Sequence, residues 1–294
     1  MRTIGIVGVG GMGGGVAERL LDEGCGLVLW NRSGAALDPF RGRDAVEIAA
    51  SPAEAAASGV VISFVANDAA LTDVTESEDG ILAGLPADGC HISMSSVSPK
   101  LVGELVGKHE VVGRQMIAAP VFGRPEAAQK GLLWVAVSGA AGAVATARPV
   151  LECISRSITD FGENPVNAAS VKIAGNFMIA SAIEAMSEAF AVLEAQGIDS
   201  RAFHEMMSET IFGSVIHQNY GRIILDQAFM PPGFKLALGG KDVGLALDMA
   251  AAADTPMPFG EILRDRFAAA VAAGRGDEDW NAISTEVRRG ESGD

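Results

Sequence analysis

The hexapeptide Gly8-Val9-Gly10-Gly11-Met12-Gly13 and its flanks constrain this chain more than any other feature. The run at residues 3–7, Thr-Ile-Gly-Ile-Val, reads as a buried strand and enters the glycines directly. A helical pattern follows at residues 16–21, Gly24 ends it, and Leu-Val-Leu-Trp at 27–30 forms a second strand at βαβ distance. Glycine-rich turns occur in many loops, but a strand before and a helix after make this one a dinucleotide-binding turn. Gly8 permits the tight turn, Gly10 lets the backbone approach a pyrophosphate, and Gly13 lets the helix lie close on the strand. Val9, Gly11 and Met12 complete the cofactor-binding turn, and the helix N-terminus adds N–H donors and a positive dipole end.

The end of the second strand selects the dinucleotide. An NAD site places Asp or Glu there for the ribose 2′-OH. This chain has Asn31-Arg32-Ser33, with no carboxylate. Arg32 suits a 2′-phosphate, and Asn31 and Ser33 can donate beside it. NADP(H) is therefore expected, with NAD(H) as the alternative; the bland reading makes Arg32 a surface charge.

The alternation continues. Strands are expected at 45–48, 60–65, 90–94, 116–118 and 132–137, with short helical stretches at 52–57 (capped by Ser51) and 69–74, and a helix at 144–153 interrupted near Pro149. In a doubly wound sheet ligands bind beyond the carboxyl ends of the strands. Val65-Ala66-Asn67, Ser95-Ser96 and Val121-Phe122-Gly123 should then line one crevice. Residues 166–196 form a long amphipathic helix, with Ile173, Phe177, Ala180, Ile183, Phe190 and Leu193 at three- and four-residue steps and Gly197 as its stop. Almost everything after it is helical: 202–209, 215–220, 221–227, 241–253, 260–273 and 280–288. The fold class is α/β, an N-terminal doubly wound domain over 1–162 with an all-helical second domain over 163–294.

Composition narrows the function. The net charge of −15 leaves no basic face for nucleic acid. The three cysteines are widely spaced with no CxxC pair, and His204 and His217 have no partner at ligand spacing, so no metal site is expected. The longest uncharged run, 131–147, is too short for a membrane span, and the chain begins directly with a strand, so a soluble, cytoplasmic protein is expected. Lys172 and Asn176 lie one turn apart on the first turns of the long helix; alone, such a lysine is usually a solvated charge.

The glycine turn, Ser95-Ser96-Val97-Ser98-Pro99, Ala119-Pro120-Val121, Lys172-Ile173-Ala174-Gly175-Asn176 and Gly240-Lys241-Asp242 occur in this order. With them the chain resembles the β-hydroxyacid dehydrogenase family, which includes 3-hydroxyisobutyrate dehydrogenases, tartronate semialdehyde reductases and glyoxylate/succinic semialdehyde reductases. The resemblance runs from residue 3 to about residue 270. It implies a Rossmann domain, a helical domain that builds a homodimer or higher oligomer, and hydride transfer between NAD(P) and a small carbonyl or hydroxy compound. By the same resemblance Lys172 is the general acid/base and Asn176 its partner. Ser95 and Ser96 lie near the nicotinamide, Ser96 also near the substrate, Lys241 serves the cofactor, and Asp242 and the aromatic Phe234 line the substrate pocket. Lys241 and Asp242 have a second reading, as the start of the helix at 243–253.

Two segments depart from the family. Its substrate segment usually reads Asp-x-Pro-Val-Ser-Gly-Gly, whereas this chain has Ala118-Ala119-Pro120-Val121-Phe122-Gly123-Arg124. Either Arg124 takes over the substrate carboxylate, or the substrate lacks one and Phe122 meets an apolar group. Before the lysine, Glu163-Asn164-Pro165 replaces a glycine-rich stretch. Two rivals follow: an NADPH-dependent imine reductase, related in fold, and a non-catalytic dinucleotide-binding protein.

Overall fold

The computed structural model describes residues 2–289. The chain divides into two compact units, Met1–Lys172 and Ile173 onward. The first unit opens with β1 (Thr3–Val7), α1 (Gly11–Asp22), β2 (Gly26–Trp30) and β3 (Val46–Ile48). It continues with α2 (Pro52–Ala56), β4 (Val60–Ser63), α3 (Asp68–Glu76), α4 (Ile81–Gly84), β5 (Cys90–Ser93), α5 (Pro99–Val111) and β6 (Gln115–Ala118). The six strands form one parallel sheet in the order β3-β2-β1-β4-β5-β6, the doubly wound arrangement. Strand order reverses between β1 and β4, so the ligand crevice of such a sheet falls beyond the carboxyl ends of these two strands.

Burial explains why these strands read as apolar runs without alternation. Ile4, Ile6, Leu29, Ile62 and Ile92 pack into one core, while Val7, Val28, Val61 and Met116 pack into a second. Successive residues of a strand point to opposite faces, and here both faces are covered.

The unit then adds β7 (Val121–Phe122), α6 (Pro125–Gln129), β8 (Leu133–Val137), α7 (Ala141–Ile154) and β9 (Ser155–Asp160). These strands make a separate sheet, β7-β8-β9, with β7 antiparallel and β9 parallel to β8. The expectation at 132–137 is correct as a strand, but the strand belongs to this smaller sheet. β9 was not expected: its sequence, Ser-Arg-Ser-Ile-Thr-Asp, is polar because most of it faces solvent. Nor was α5, although Ser98 caps it by accepting the Leu101 N–H and Pro99 opens it. α7 runs unbroken through Pro149, against the expected interruption.

α8 (Val166–Ala195) starts in the first unit and continues in the second. After it come α9 (Ser200–Glu209), α10 (Val215–Asp226), α11 (Leu236–Ala252), α12 (Pro258–Ala272) and α13 (Ser284–Arg289), with a core of Ile183, Phe190, Tyr220, Phe267 and Trp280. Among the described residues this unit is all-helical. α10 is one helix, not two, because Gly221 is there for packing: a Cβ would lie 2.3 Å from Nε2 of His204. α11 begins at Leu236, so Lys241 and Asp242 sit within it and do not start it. α8 ends as expected: Gly197 has φ +72°, and the N–H groups of Gly197 and Ile198 reach back to Glu194 and Leu193, a Schellman closure. By length and composition alone α8 could cross a bilayer. Its buried seam, Ile173, Asn176, Ala180, Ile183, Glu184, Ser187 and Phe190, follows the helical period and carries polar side chains.

Candidate active site

The three motif glycines are glycine for different reasons. Gly8 has φ +97°, and a Cβ there would lie 2.0 Å from the Phe64 carbonyl oxygen. At Gly13 a Cβ would lie 1.9 Å from the carbonyl oxygen of Gly8. At Gly10 a Cβ would meet nothing within 4 Å, and φ is −71°. The fold thus requires glycine at 8 and 13, while position 10 keeps space clear outside the protein. Gly10 is also the N-cap of α1 and no side chain caps it, so the first-turn amides face that same space. This combination suits a pyrophosphate at a helix N-terminus.

Asn31 ties the turn together. Its Oδ1 accepts the Val9 N–H at 2.9 Å and its Nδ2 donates to the Ser33 carbonyl at 2.9 Å. The amide expected to face a phosphate therefore braces the loop, while Arg32 and Ser33 stand exposed just beyond it. Bracing also occupies other expected contacts. The buried Ser95 hydroxyl accepts the Val65 N–H at 2.9 Å and donates to the Ser63 carbonyl at 3.3 Å. Asn67 caps α3 through the Ala70 N–H, and Asp68 accepts both the N–H and the hydroxyl of Ser98. Val65 and Ser96 are half-buried and Ala66 is exposed at these strand ends.

The small sheet and the start of α8 form the second half of the first unit's site. Ser138, fully buried just after β8, donates to the Pro165 carbonyl at 2.9 Å and accepts the Ala168 N–H at 2.9 Å. Asn167 donates to the Phe161 carbonyl at 2.8 Å. So anchored, the helix places Lys172 with only 9% of its surface exposed and Nζ 4.2 Å from the centroid of the Phe122 ring. A lysine this buried is not a solvated surface charge. Val121 is buried beside Phe122, Gly123 has φ +142°, and the half-buried Arg124 precedes α6.

In the second unit Asn176, one turn beyond Lys172 along α8, is buried and donates to Asp242 Oδ2 at 2.5 Å. Lys241 Nζ lies 2.9 Å from Asp242 Oδ1, and Asp242 is fully buried between them. Phe234 stacks edge-on against Trp280, centroids 4.9 Å apart. The structure therefore brings together Lys172 with Phe122 in one unit, and Asn176 with Lys241 and Asp242 in the other.

Sequence reasoning missed Ser138 and a buried histidine pair. His109 Nδ1 is 2.7 Å from the Leu105 carbonyl, His91 Nδ1 is 3.3 Å from His109 Nε2, and His91 Nε2 is 2.8 Å from Ser63 Oγ. A carbonyl only accepts, so His109 donates from Nδ1 and accepts at Nε2. His91 must then donate from Nδ1 and accept from Ser63. Burial holds both imidazoles below their ordinary value, His91 far below it with the neighbouring His109 adding to the effect. His204 contacts the His217 carbonyl and Ser208; among the described residues no His, Cys, Asp and Glu cluster could hold a metal.

Residues 3–162 match the family described as the NAD-binding domain of 6-phosphogluconate dehydrogenase, and residues 167–286 match the NAD-binding region of NADP-dependent 3-hydroxyisobutyrate dehydrogenase. The chain is 38% identical over 281 residues to the uncharacterized oxidoreductase YfjR of Bacillus subtilis, covering 95% of this chain and 98% of that protein. It is 32% identical over 290 residues to 3-sulfolactaldehyde reductase of Escherichia coli, covering 98% and 96%. Among solved structures, 3-hydroxyisobutyrate dehydrogenase from Salmonella typhimurium superposes with a TM-score of 0.88 at 26% identity, over 97% of this chain and 99% of that one. An imine reductase from Myxococcus stipitatus shares the fold at a TM-score of 0.65 and 17% identity, over 98% and 99%. With one parallel Rossmann sheet, a helical second unit and matches along nearly its full length, the chain belongs to the β-hydroxyacid dehydrogenase family, the NAD(P)-dependent oxidoreductases of CH–OH groups.

Proposed function

We propose that this protein is an NADP(H)-dependent reductase of a small carbonyl compound bearing an anionic group, with Lys172 as the general acid and, in reverse, the base. The observation that carries the reading is the buried Lys172 amine at the anchored start of α8, on the chain's KxxxN motif. The dinucleotide supplies the hydride when bound. The chain's part is to hold it by the amides around Gly10, with Arg32 on the 2′-phosphate, and to give a proton to the developing alkoxide. A positioned acid at that step contributes about 100- to 10,000-fold. The bond to Asp242 holds Asn176, the polar residue one turn beyond the lysine, in place.

The substrate's anionic group is assigned to Arg124. One face of the Phe122 ring already carries the Lys172 amine, which disfavours Phe122 as a bare apolar wall for the substrate. The 3-sulfolactaldehyde reductase likeness supports a small anionic aldehyde. We also assign the protein to the cytoplasm as a homo-oligomer. Non-catalytic binding is disfavoured because Lys172 is in place.

The test is an NADPH-coupled panel of 3-sulfolactaldehyde, succinic semialdehyde, glyoxylate, 3-hydroxyisobutyrate with NADP⁺, and a cyclic imine. Turnover of the aldehyde or hydroxy acids, lowered at least about 100-fold in Lys172→Ala with NADPH affinity within a few-fold, is expected. Turnover of the imine alone, or an active Lys172→Ala enzyme, would refute the reading.

A further inference from the structure

Phe122 and Lys172 are held by one piece of scaffold. Phe122 lies in β7 directly opposite Trp134 of β8. Immediately after β8, Ser138 grips the first turn of α8 through Pro165 and Ala168, so the same strand pair fixes the ring and the helix that carries the lysine. Gly123 fixes the strand end as well: at φ +142°, a Cβ there would also lie 2.7 Å from Leu133 Cδ2. The resulting distance of 4.2 Å from Nζ to the ring centroid lies well inside the roughly 6 Å range of cation–π attraction. Beside it, Arg156 lies 5.0 Å from the Trp134 centroid, but Trp134 is 39% exposed, whereas Lys172 is buried and its contact is less screened.

We propose that Phe122 is a positioning residue for Lys172: its ring face seats the protonated amine, fixes where the proton is delivered, and weights the site toward carbonyl reduction. The proposal rests on the reading of Lys172 as proton donor. In reduction the carbonyl carbon takes a hydride and its oxygen takes the ammonium proton. The O–H bond forms as the N–H bond breaks and the amine is left neutral, with the two electrons drawn from the reduced dinucleotide. The negative face of the ring attracts the amine only while it is charged. A side chain of equal bulk without that face fills the space but does not hold the proton.

The test uses the full chain labelled with ¹³C at the lysine ε-carbons; there are six lysines, and the Lys172 signal is the one lost in Lys172→Arg. In the wild type this signal is displaced upfield by the ring current. In Phe122→Leu the displacement disappears and the titration midpoint falls by roughly half a pH unit or more. Trifluorophenylalanine at 122, which keeps the shape and drains the face, lowers the midpoint by a similar amount, and Phe122→Trp restores it. With NADPH and 3-sulfolactaldehyde, kcat falls a few-fold in the Leu and fluorinated proteins while KM stays within about two-fold. An identical midpoint in the wild-type, Leu and fluorinated proteins overturns the proposal. An active Lys172→Ala enzyme instead refutes the proton-donor reading, a separate outcome, because the labelled signal reports the contact without turnover.

Discussion

At the scale of single residues, the glycine turn shows how function and fold divide one motif. Gly8 and Gly13 are demanded by contacts of 2.0 and 1.9 Å that a Cβ would make with backbone, whereas Gly10 meets nothing. Gly10→Ala should therefore leave the thermal midpoint of the ligand-free protein within about 1 °C, since a surface change at an allowed φ costs under about 0.5 kcal/mol, and weaken NADPH at least about ten-fold. Gly13→Ala should lower stability strongly. Calorimetry and fluorescence titration of both variants decide it, and a Gly10→Ala protein that binds NADPH normally removes the pyrophosphate from this position. Arg32 gives the second residue-scale prediction. A charge-assisted hydrogen bond contributes about 1.5–3 kcal/mol, so Arg32→Ala should lower the NADPH/NADH ratio of kcat/KM by about 10- to 100-fold; an unchanged ratio removes Arg32 from the site. The motif glycines are legible because their strand–turn–helix context is written in local order, whereas Lys172 read locally is a solvated charge and only the resemblance singles it out. Asn31 and Ser95 are legible as loop residues but not as braces, because the groups they bond, Val9, and Val65 with Ser63, are brought to them by the fold, whereas the cap of Asn67 on Ala70 is local.

Elements are legible where apolar runs and length agree, as in β1, β2, β4 and the extent of α8, although α8 carries apolar side chains beyond its buried seam and is not the amphipathic helix expected. They are less legible where the pattern is polar or the partner remote. β9 lacks an apolar face because it edges a small sheet, and the local sign of α5 is the Ser98-Pro99 capping signature at its start. The β5–α5 contact hid the most: His91 and His109 meet only because a strand and the next helix pack together. Its consequence is a pH dependence whose sign follows from their direction. Both groups are held below the ordinary value of 6.5 in the fold, so below that pH the unfolded chain binds protons the native state does not. Their contribution is whole above pH 6.5 and is lost as pH falls through the folded values. Urea unfolding at pH 7, 6 and 5 should show stability dropping more steeply in the wild type than in a His91→Phe, His109→Leu double variant, by as much as about 1.4 kcal/mol per pH unit for each histidine. The comparison is of slopes, so any loss of stability in the variant at pH 7 does not matter. Parallel slopes would mean that the pair is not held neutral by the fold.

For the molecule as a whole, charge and apolar surface pull in opposite directions. A net charge of −15 makes two copies repel, yet the second unit exposes Met178, Val192, Met206, Ile211 and Val215, each more than half accessible. Two of these lie on α8, on the side opposite its buried seam, and apolar side chains so exposed on a long, largely apolar helix are ordinarily covered. Ala182, Ala185 and Met186 of α8 itself, with Phe203, Met207 and Phe212, line an apolar groove. Self-association would remove this surface from water at about 25 cal/mol per Å², while the like charges limit it over a screening length of about 10 Å at 0.1 M salt and about 3 Å at 1 M. The sign of the salt effect follows: added NaCl should strengthen association, the reverse of an interface held by ion pairs. Sedimentation equilibrium from about 0.05 to 0.5 M NaCl should give a mass at least twice 30.2 kDa, with the dissociation constant falling as salt rises. Met178→Glu with Val192→Glu adds charge to the exposed face of α8 and should return the protein to one chain. A wild-type mass of 30.2 kDa at micromolar concentration in high salt would show that α8 is left uncovered in solution and that the homo-oligomer does not form.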